Sequence, residues 1–253
     1  MSVFIKLKEK VRKDARLSGL LWGIRGLWGD TPATVSERYY TPRTRPIIDS
    51  YLDRHALRKL HIGAQAHVLE DWLNVDIYTG ASNRVAYMDA TKKFPFENHS
   101  FDYIFSEHMI EHIDHTQASF MLSECFRVLK PMGKIRIATP DMDRLLSLNL
   151  SEGSGKDYFD DLVRPGFETR NIRIEPNTGY VLNYIMHNFG HQFVHNRTTL
   201  QQIMKVNGFV HLGNYSPGES EDEVFKKIEG HSRTGNPLCD LETMNMEAYK
   251  PSE

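Results

Sequence analysis

From residue 57 to residue 139 apolar residues gather in short runs, parted by polar or glycine-bearing breaks. LRKLHIG (57–63) reads as a strand closed by Gly63, and WLNVDI (72–77), RVAYMD (84–89), FDYIFS (101–106) and KIRIAT (134–139) read as four more. Runs this short, rich in β-branched and aromatic residues, suit strands of a buried sheet. Between the fourth and fifth the period changes. Phe120, Met121, Phe126, Val128 and Leu129 suit a helix over 115–130, which Pro131 and Gly133 then stop. Another helix opens at Asp141, a suitable cap, and runs toward Asn149. TTLQQIMKVNGF (198–209) is a helix ended by Gly208, and VHLGNYSP (210–217) and ETMNMEAYKP (242–251) are the last two strands.

Strands that alternate with helices predict an α/β fold with a mostly parallel sheet. Residues 150–195 break the alternation and hold glycines, aromatics and three histidines, which predicts an insertion over one face. Roughly 24 residues part the last two strands, among them GESEDE and GHSRTGNP. A connection that long usually carries function or mobility. Only 12 residues separate Gly63 from Asp76. A crossover between parallel strands needs about a dozen residues, so the first one must be short and tight, without a full helix.

The N-terminal region differs. Phe4, Leu7 and Val11 recur at helical spacing, as do Leu20, Leu21, Ile24, Leu27 and Trp28. Lys6, Lys8, Lys10, Arg12, Lys13 and Arg16 face only Glu9 and Asp14 there. Two readings stand: a helical extension packed on its own domain or on a second copy in a homodimer, or a basic amphipathic foot, residues 1–30, on an anionic membrane face. Residues 31–45, with Pro32 and Pro42, read as a surface linker.

Composition narrows the field. Net charge is −2 with 25% charged residues, so a bulk nucleic-acid binder is not expected. Two cysteines, Cys125 and Cys239, make neither a disulfide framework nor a cysteine metal cluster. That fits a reducing cytoplasm. No apolar run approaches the roughly 20 residues of a bilayer span, and charges break up the N-terminus where a signal peptide would need an apolar stretch. A cytoplasmic protein is expected, peripheral at the inner membrane face if the basic foot is used.

Two segments carry a resemblance: MDATKKFPFENHSFDYIFSEHMIEHI (88–113) and LSECFRVLKPMGKIRIATPD (122–141). Over residues 57–140 the chain resembles class I S-adenosylmethionine-dependent methyltransferases. LHIGAQ (60–65), LEDWLNVDI (69–77), GHQF (190–193) and EGHSRTGNP (229–237) are similar to a narrower group of methyltransferases linked to bacterial polysaccharide pathways. The resemblance implies a Rossmann-like, seven-stranded, mostly parallel sheet with an antiparallel last strand and helices on both faces. It divides the chain into a helical, basic extension and linker (1–50) and a methyltransferase domain (51–253) with an insertion at about 150–195. It implies S-adenosylmethionine as cofactor, held by His61, Gly63, Ala64, Asp76, Ile77, Asp89, Ala90, Ser106 and Glu107.

Physical chemistry agrees with part of that set. Ligands of open α/β sheets sit beyond the carboxyl ends of the strands. Gly63 lacks a Cβ and lets backbone approach a cofactor. Asp76 can accept hydrogen bonds from both ribose hydroxyls, and Asp89 lies within reach of an adenine amine. The bland alternative is that aspartate at a strand end simply forms a turn. The family's glycine-rich turn is reduced here to GAQ, although this cofactor has no phosphate to cradle.

The run SEHMIEH (106–112) follows the fourth strand. If a helix starts there, His108, Glu111 and His112 share one face. HNFGHQFVHN (187–196) brings His187, His191 and His195, with Gly190 interrupting. Three readings stay open. One residue of the catalytic candidates His108, Glu111, His112 and His191 acts as a general base on a hydroxyl or orients the acceptor. Alternatively His108, Glu111 and His112 hold a divalent metal, with further ligands from His187, His191 or His195, since the run resembles the metal-binding run of small-RNA 2′-hydroxyl methyltransferases and ubiquinone-pathway O-methyltransferases, with His108 in place of a first Glu. In the third, the histidines are structural. Expected functions follow in the same order: O-methylation of a saccharide or other small acceptor, including a lipid-linked one; metal-dependent hydrolysis, because His108-x-x-Glu111-His112 matches an inverted zinc-protease motif; or a non-catalytic binding module of the same fold.

Overall fold

The computed structural model describes residues 44–79, 84–230 and 237–252. The expected N-terminal helices, the basic foot and most of the linker lie outside these described residues. At the first described residue the chain is already helical, and α1 runs over 44–54. Residues 44 and 45 therefore belong to a helix and not to the expected linker. The reason is an apolar stripe: Ile48 and Tyr51 are buried, and Ile47 and Leu52 pack beside them on the sheet.

The strands form where the apolar runs lie: β1 (Lys59–Ile62), β2 (Leu73–Asp76), β3 (Val85–Tyr87), β4 (Phe101–Glu107), β5 (Leu129–Pro140), β6 (Val210–Tyr215) and β7 (Thr243–Tyr249). Their order is β3-β2-β1-β4-β5-β7-β6. β7 runs antiparallel to both neighbours, and the pairings among β1 to β5 are parallel. The fold is the expected mostly parallel seven-stranded sheet with an antiparallel last strand. As the short spacing required, no helix joins β1 to β2.

Alternation sorts the strand residues between two faces. Leu60 and Ile62, Leu73 and Val75, Ile135 and Ile137, and Met244 and Met246 point to one face and join a single buried cluster. The helices α1, α2 (His115–Val128) and α7 (Arg197–Val206) cover it, contributing Ile48, Met121, Leu122, Leu200 and Met204. Both long helices are started by capping boxes: Asp114 with Gln117, and Asn196 with Thr199. The other face is closed by the turns of 64–72 and a strap of irregular chain, 216–230. Leu69, Trp72, Phe225 and Ile228 form a small apolar cluster there with Phe105.

The insertion folds into α3 (Met142–Leu146), α4 (Gly153–Tyr158), a π turn (Phe159–Val163), α5 (Arg164–Phe167) and α6 (Thr178–His187). Asp141 caps α3 as expected, accepting from Asp143 N. Leu145, Tyr158, Phe159, Val163, Val181 and Ile185 give the insertion its own core, which α8 (Pro237–Glu242) joins through Leu238 and Leu241. A segment with its own core can serve as a firm wall for a cavity. Among the described residues no helix is long and apolar enough to cross a membrane.

Candidate active site

Strand order reverses direction between β1 and β4. At such a switch point neighbouring connections leave toward opposite faces and open a crevice. A cavity of about 660 Å³ lies there. The end of β1 supplies Gly63, Ala64, Gln65, Ala66 and His67; the end of β4 supplies Glu107, His108, Glu111 and His112. The insertion contributes Ile185, Phe189 and His191, and Gly230 and Glu242 complete the lining.

Gly63 has φ +82°, and a Cβ on it would lie 2.7 Å from Met109 Cβ. Only glycine fits both demands. The N–H groups of Gly63 and Ala64 both donate to Val75 O, so the turn folds back on β2. Asp76 lies one hydrogen bond behind the cavity wall. Its Oδ2 accepts from Gln65 N at 3.0 Å and its Oδ1 from Tyr78 N at 2.6 Å. Burial pushes its carboxyl up to about 6, opposed by the Gln65 N–H. Each carboxylate oxygen keeps a further lone pair. Ile77 and Tyr78 beside it are exposed.

The other cofactor candidates separate. Asp89 Oδ1 accepts from Thr91 N and Oγ1, a turn closed on itself, with Lys92 Nζ 3.8 Å from its Oδ2. Ala90 and Ser106 are buried off the cavity lining. His61 lies on the strap-covered face, with Nδ1 3.0 Å from Asn74 Oδ1 and its ring stacked on Phe105. Burial lowers its pKa to about 4. Glu107 lines the cavity but is engaged: its Oε2 accepts from Gly230 N at 2.8 Å and lies 3.0 Å from His67 Nδ1.

The histidine run does not form the helix that would align three side chains. His108 takes φ +45°, and its N–H continues the sheet ladder to Ala138 O. Only a single 3₁₀ turn, Ile110–His112, follows before Asp114 restarts the chain as α2. His108 therefore meets Glu111 without a shared helix face. Its Nδ1 lies 3.1 Å from Glu111 Oε1 and its Nε2 3.1 Å from Thr243 Oγ1.

His191 joins Glu111 and His112 on the cavity wall. Gly190, at φ +74°, turns the chain just beyond α6. The N–H groups of Gln192 and Phe193 donate to Glu111 O, and Gln192 Nε2 donates to His112 O. The rings of His112 and His191 meet edge to face, 4.7 Å apart. One donor atom each from Glu111, His112 and His191 lies within 4.8 Å of the others. His187 is exposed, and His195 is buried with Nδ1 3.2 Å from Thr199 Oγ1.

Glu111 is fully buried. Burial alone would favour its neutral form, but the His108 hydrogen bond and the charges of His108, His112 and His191 outweigh it and hold the pKa down to about 2. His108 moves up: burial lowers it, and the Glu111 carboxylate overcomes that. His191 falls to about 4 through burial, opposed by Glu111. Near neutral pH the wall is an ionised carboxylate beside a neutral His191. It can accept a proton, orient a hydroxyl or take a cation.

Sequence reasoning missed His67, Gln65, Gly230 and Glu242. Gly230 stands in EGHSRTGNP, and the long connection between the last two strands was the available signal. His67 had none, because its role depends on the register of two turns.

Residues 64–137 match the family model described as a methyltransferase domain. Comparison with curated proteins gives no significant match. Among solved structures the chain is similar to an S-adenosylmethionine-dependent methyltransferase from Thermotoga maritima, at 15% identity and a TM-score of 0.46, over 90% of this chain and 99% of that one. One from Archaeoglobus fulgidus gives 18% and 0.43 over 98% and 100%. A phosphoethanolamine N-methyltransferase from Haemonchus contortus gives 18% and 0.40, over 82% of this chain and 52% of that one. The match over 64–137 runs from β1's exit loop into β5 and includes the cavity residues Ala64 to His67, Glu107, His108, Glu111 and His112. The similarity to a methyltransferase domain therefore falls on residues 64–137.

Proposed function

We propose that the chain transfers the methyl group of S-adenosylmethionine to a hydroxyl of a small or saccharide acceptor. One observation carries the reading: Glu111, His112 and His191 form a carboxylate–imidazole wall on the same cavity as the glycine-ended β1 turn. In this reading Gly63 and Ala64 would give the cofactor room at the β1 turn, Asp76 would accept from its ribose hydroxyls, and Ile77 and Asp89 would serve its adenine. The bound cofactor would supply an electrophilic methyl group on a sulfonium, and the wall would receive the acceptor. The acceptor oxygen attacks the methyl carbon, the carbon–sulfur bond breaks to leave a thioether, and the hydroxyl proton is lost at the wall. Alignment of oxygen, carbon and sulfur supplies most of the acceleration.

The polysaccharide connection rests on the sequence resemblance, and a lipid-linked glycan is one form the acceptor could take. The hydrolase reading loses support from the single 3₁₀ turn, since the inverted protease motif needs both histidines on one helix face.

Calorimetry with S-adenosylhomocysteine tests the cofactor half. Wild-type protein should bind it, and Asp76→Ala should weaken binding at least tenfold, about 1.4 kcal/mol, as expected for lost hydrogen bonds to a charged group. Equal affinity in the variant removes Asp76 from the site, and no binding by wild type leaves a non-catalytic module. Labelled methyl transfer to a panel of glycosides tests the acceptor half. A product methylated on nitrogen or carbon would overturn the O-methylation reading.

A further inference from the structure

We propose that Glu111, His112 and His191 hold one divalent transition-metal cation at the acceptor end of the cavity. The site's existence is independent of the methyl-transfer reading; only its role rests on it.

Geometry is the first support. The three donor atoms lie within 4.8 Å of one another. A tetrahedral shell with bonds of about 2.1 Å sets its donors roughly 3.4 Å apart. The backbone itself is already fixed across the two segments by the bonds from Gln192 and Phe193 to Glu111 O and from Gln192 to His112 O. The site is thus assembled by hydrogen bonds that do not involve the donor atoms.

Charge is the second. Glu111 is fully buried, and no Lys or Arg lines the cavity among the described residues. A buried carboxylate needs a positive partner or a full set of donors. Thr139 Oγ1 donates to its Oε2 at 3.0 Å, and His108 Nδ1 stands 3.1 Å from Oε1. A ligating carboxylate is typically oriented by hydrogen bonds of this kind, and losing them weakens metal affinity. His108 and Thr139 are positioning residues here and not ligands. His191 Nδ1 is buried and makes no hydrogen bond among the described residues, which is unfavourable if nothing takes it up.

Donor type selects the ion. Magnesium and calcium prefer shells of oxygen. Two imidazoles and one carboxylate suit zinc, cobalt, manganese or iron(II). Three protein donors leave the remaining positions open to the cavity, where an acceptor hydroxyl can bind. A bound cation acidifies that hydroxyl. The proton passes to cavity water, and the oxygen takes the methyl as the carbon–sulfur bond breaks.

The test uses the full chain, stripped with a chelator and dialysed. Cobalt(II) is titrated in, followed by visible absorption and calorimetry, with zinc and manganese as parallel probes. One ion per chain is expected. His191→Asn and Glu111→Gln should each weaken cobalt binding at least tenfold, and Thr139→Val tenfold to a hundredfold. His187→Asn, on the exposed end of α6, should leave it unchanged. His191→Asn sits on the cavity wall, so thermal melting equal to wild type will show it folded, whatever the buried Glu111→Gln does. No stoichiometric binding of any of the three ions, or unchanged cobalt affinity in folded His191→Asn, overturns the site. S-adenosylhomocysteine calorimetry on the same samples keeps the readings apart: failure there removes the methyltransferase reading while the cobalt result stands.

Discussion

The two faces of the sheet are built on opposite principles. On the helix-covered face, Leu60, Leu73, Ile104, Ile135 and Met246 form a dry apolar layer. On the strap-covered face, Asn74, His61, Phe105, Arg136 and Glu247 pair in register and form one row straight across β2, β1, β4, β5 and β7. Apolar burial is non-directional and tolerates any well-fitting cover. A buried polar row tolerates only a cover that supplies its missing partners. The strap supplies them. Glu229 meets Arg136, and Asp222 meets Lys134 and Tyr103. Satisfying this row also brings Gly230, at the strap's end, onto Glu107 at the cavity. The polar face thus steers a particular segment to the site, which an apolar face could not do.

The largest expected effect tests this. Arg136 is fully buried between Glu229 and Glu247. Arg136→Met strands two buried carboxylates and should cost about 3–5 kcal/mol in urea unfolding. The triple variant Arg136→Met, Glu229→Leu, Glu247→Leu should recover most of that loss, because apolar replacement of a whole buried ion group is often neutral. It should nonetheless disturb the strap. A single variant costing under about 1 kcal/mol would break the contrast between the faces.

The same contrast explains what was legible beforehand. The apolar face writes its period into the sequence, so β1 to β5, α2 and α7 could be read from Leu60, Ile62, Val75, Ile135, Met121 and their neighbours. The polar row could not be read, since Arg136 looks like any exposed strand arginine until Glu229 is seen beside it, 93 residues away in sequence. His61 shows the cost of ignoring parity. It alternates with Leu60 and Ile62, so it had to point to the opposite face from them, away from the dry core and under the strap. At the site, the meeting of the SEHMIEH run with the histidine-bearing insertion was legible from the strand's carboxyl end. The loss of a shared helix face at His108 was not, because it depends on His108 adopting φ +45° to keep its N–H on Ala138 O.

Next in size is a pH effect at Asp76, which lies where β2 leaves the sheet. Its pKa of about 6 in the free protein exceeds the usual carboxylate value. Between about pH 4 and pH 6 the folded chain holds a proton that the unfolded chain has lost, so this group's contribution to stability falls as pH rises through that window. Ribose hydroxyls would act the other way, since they donate to the ionised form. Affinity for S-adenosylhomocysteine should be level above pH 7 and fall toward tenfold per unit below pH 6. Asp76→Asn should remove that dependence. A flat wild-type profile between pH 5 and 7 would separate Asp76 from the ribose.

A smaller effect is expected on the apolar face. Ile135 is fully buried between Ile104 and Ala248. Ile135→Val removes one methylene group and should cost about 0.5–1.5 kcal/mol, with S-adenosylhomocysteine affinity unchanged. If that small trim also weakened cofactor binding, the helix-covered face would be coupled to the site as closely as the polar one.

The smallest effect sharpens the comparison most, because it lies on the strap itself. Glu223 and Glu229 are the same residue type on the same segment. Glu223 pairs with Lys226, but their side chains are 84% and 43% exposed. Glu229 is buried, takes Arg136 Nε at 2.6 Å and accepts from Gly218 N at 3.0 Å. Exposed pairs contribute about 0–1 kcal/mol, so Glu223→Gln should change stability by no more than about 0.5 kcal/mol. Glu229→Gln keeps the shape and loses the charge, and it should cost several times more while raising exchange of the Gly230 amide. Equal effects at the two positions would mean that the strap is held by its net charge near Lys134 and Arg136 and not by individual buried partners. Unequal effects in the expected order would locate the docking free energy at Arg136, which meets Glu247 on the sheet and Glu229 on the strap.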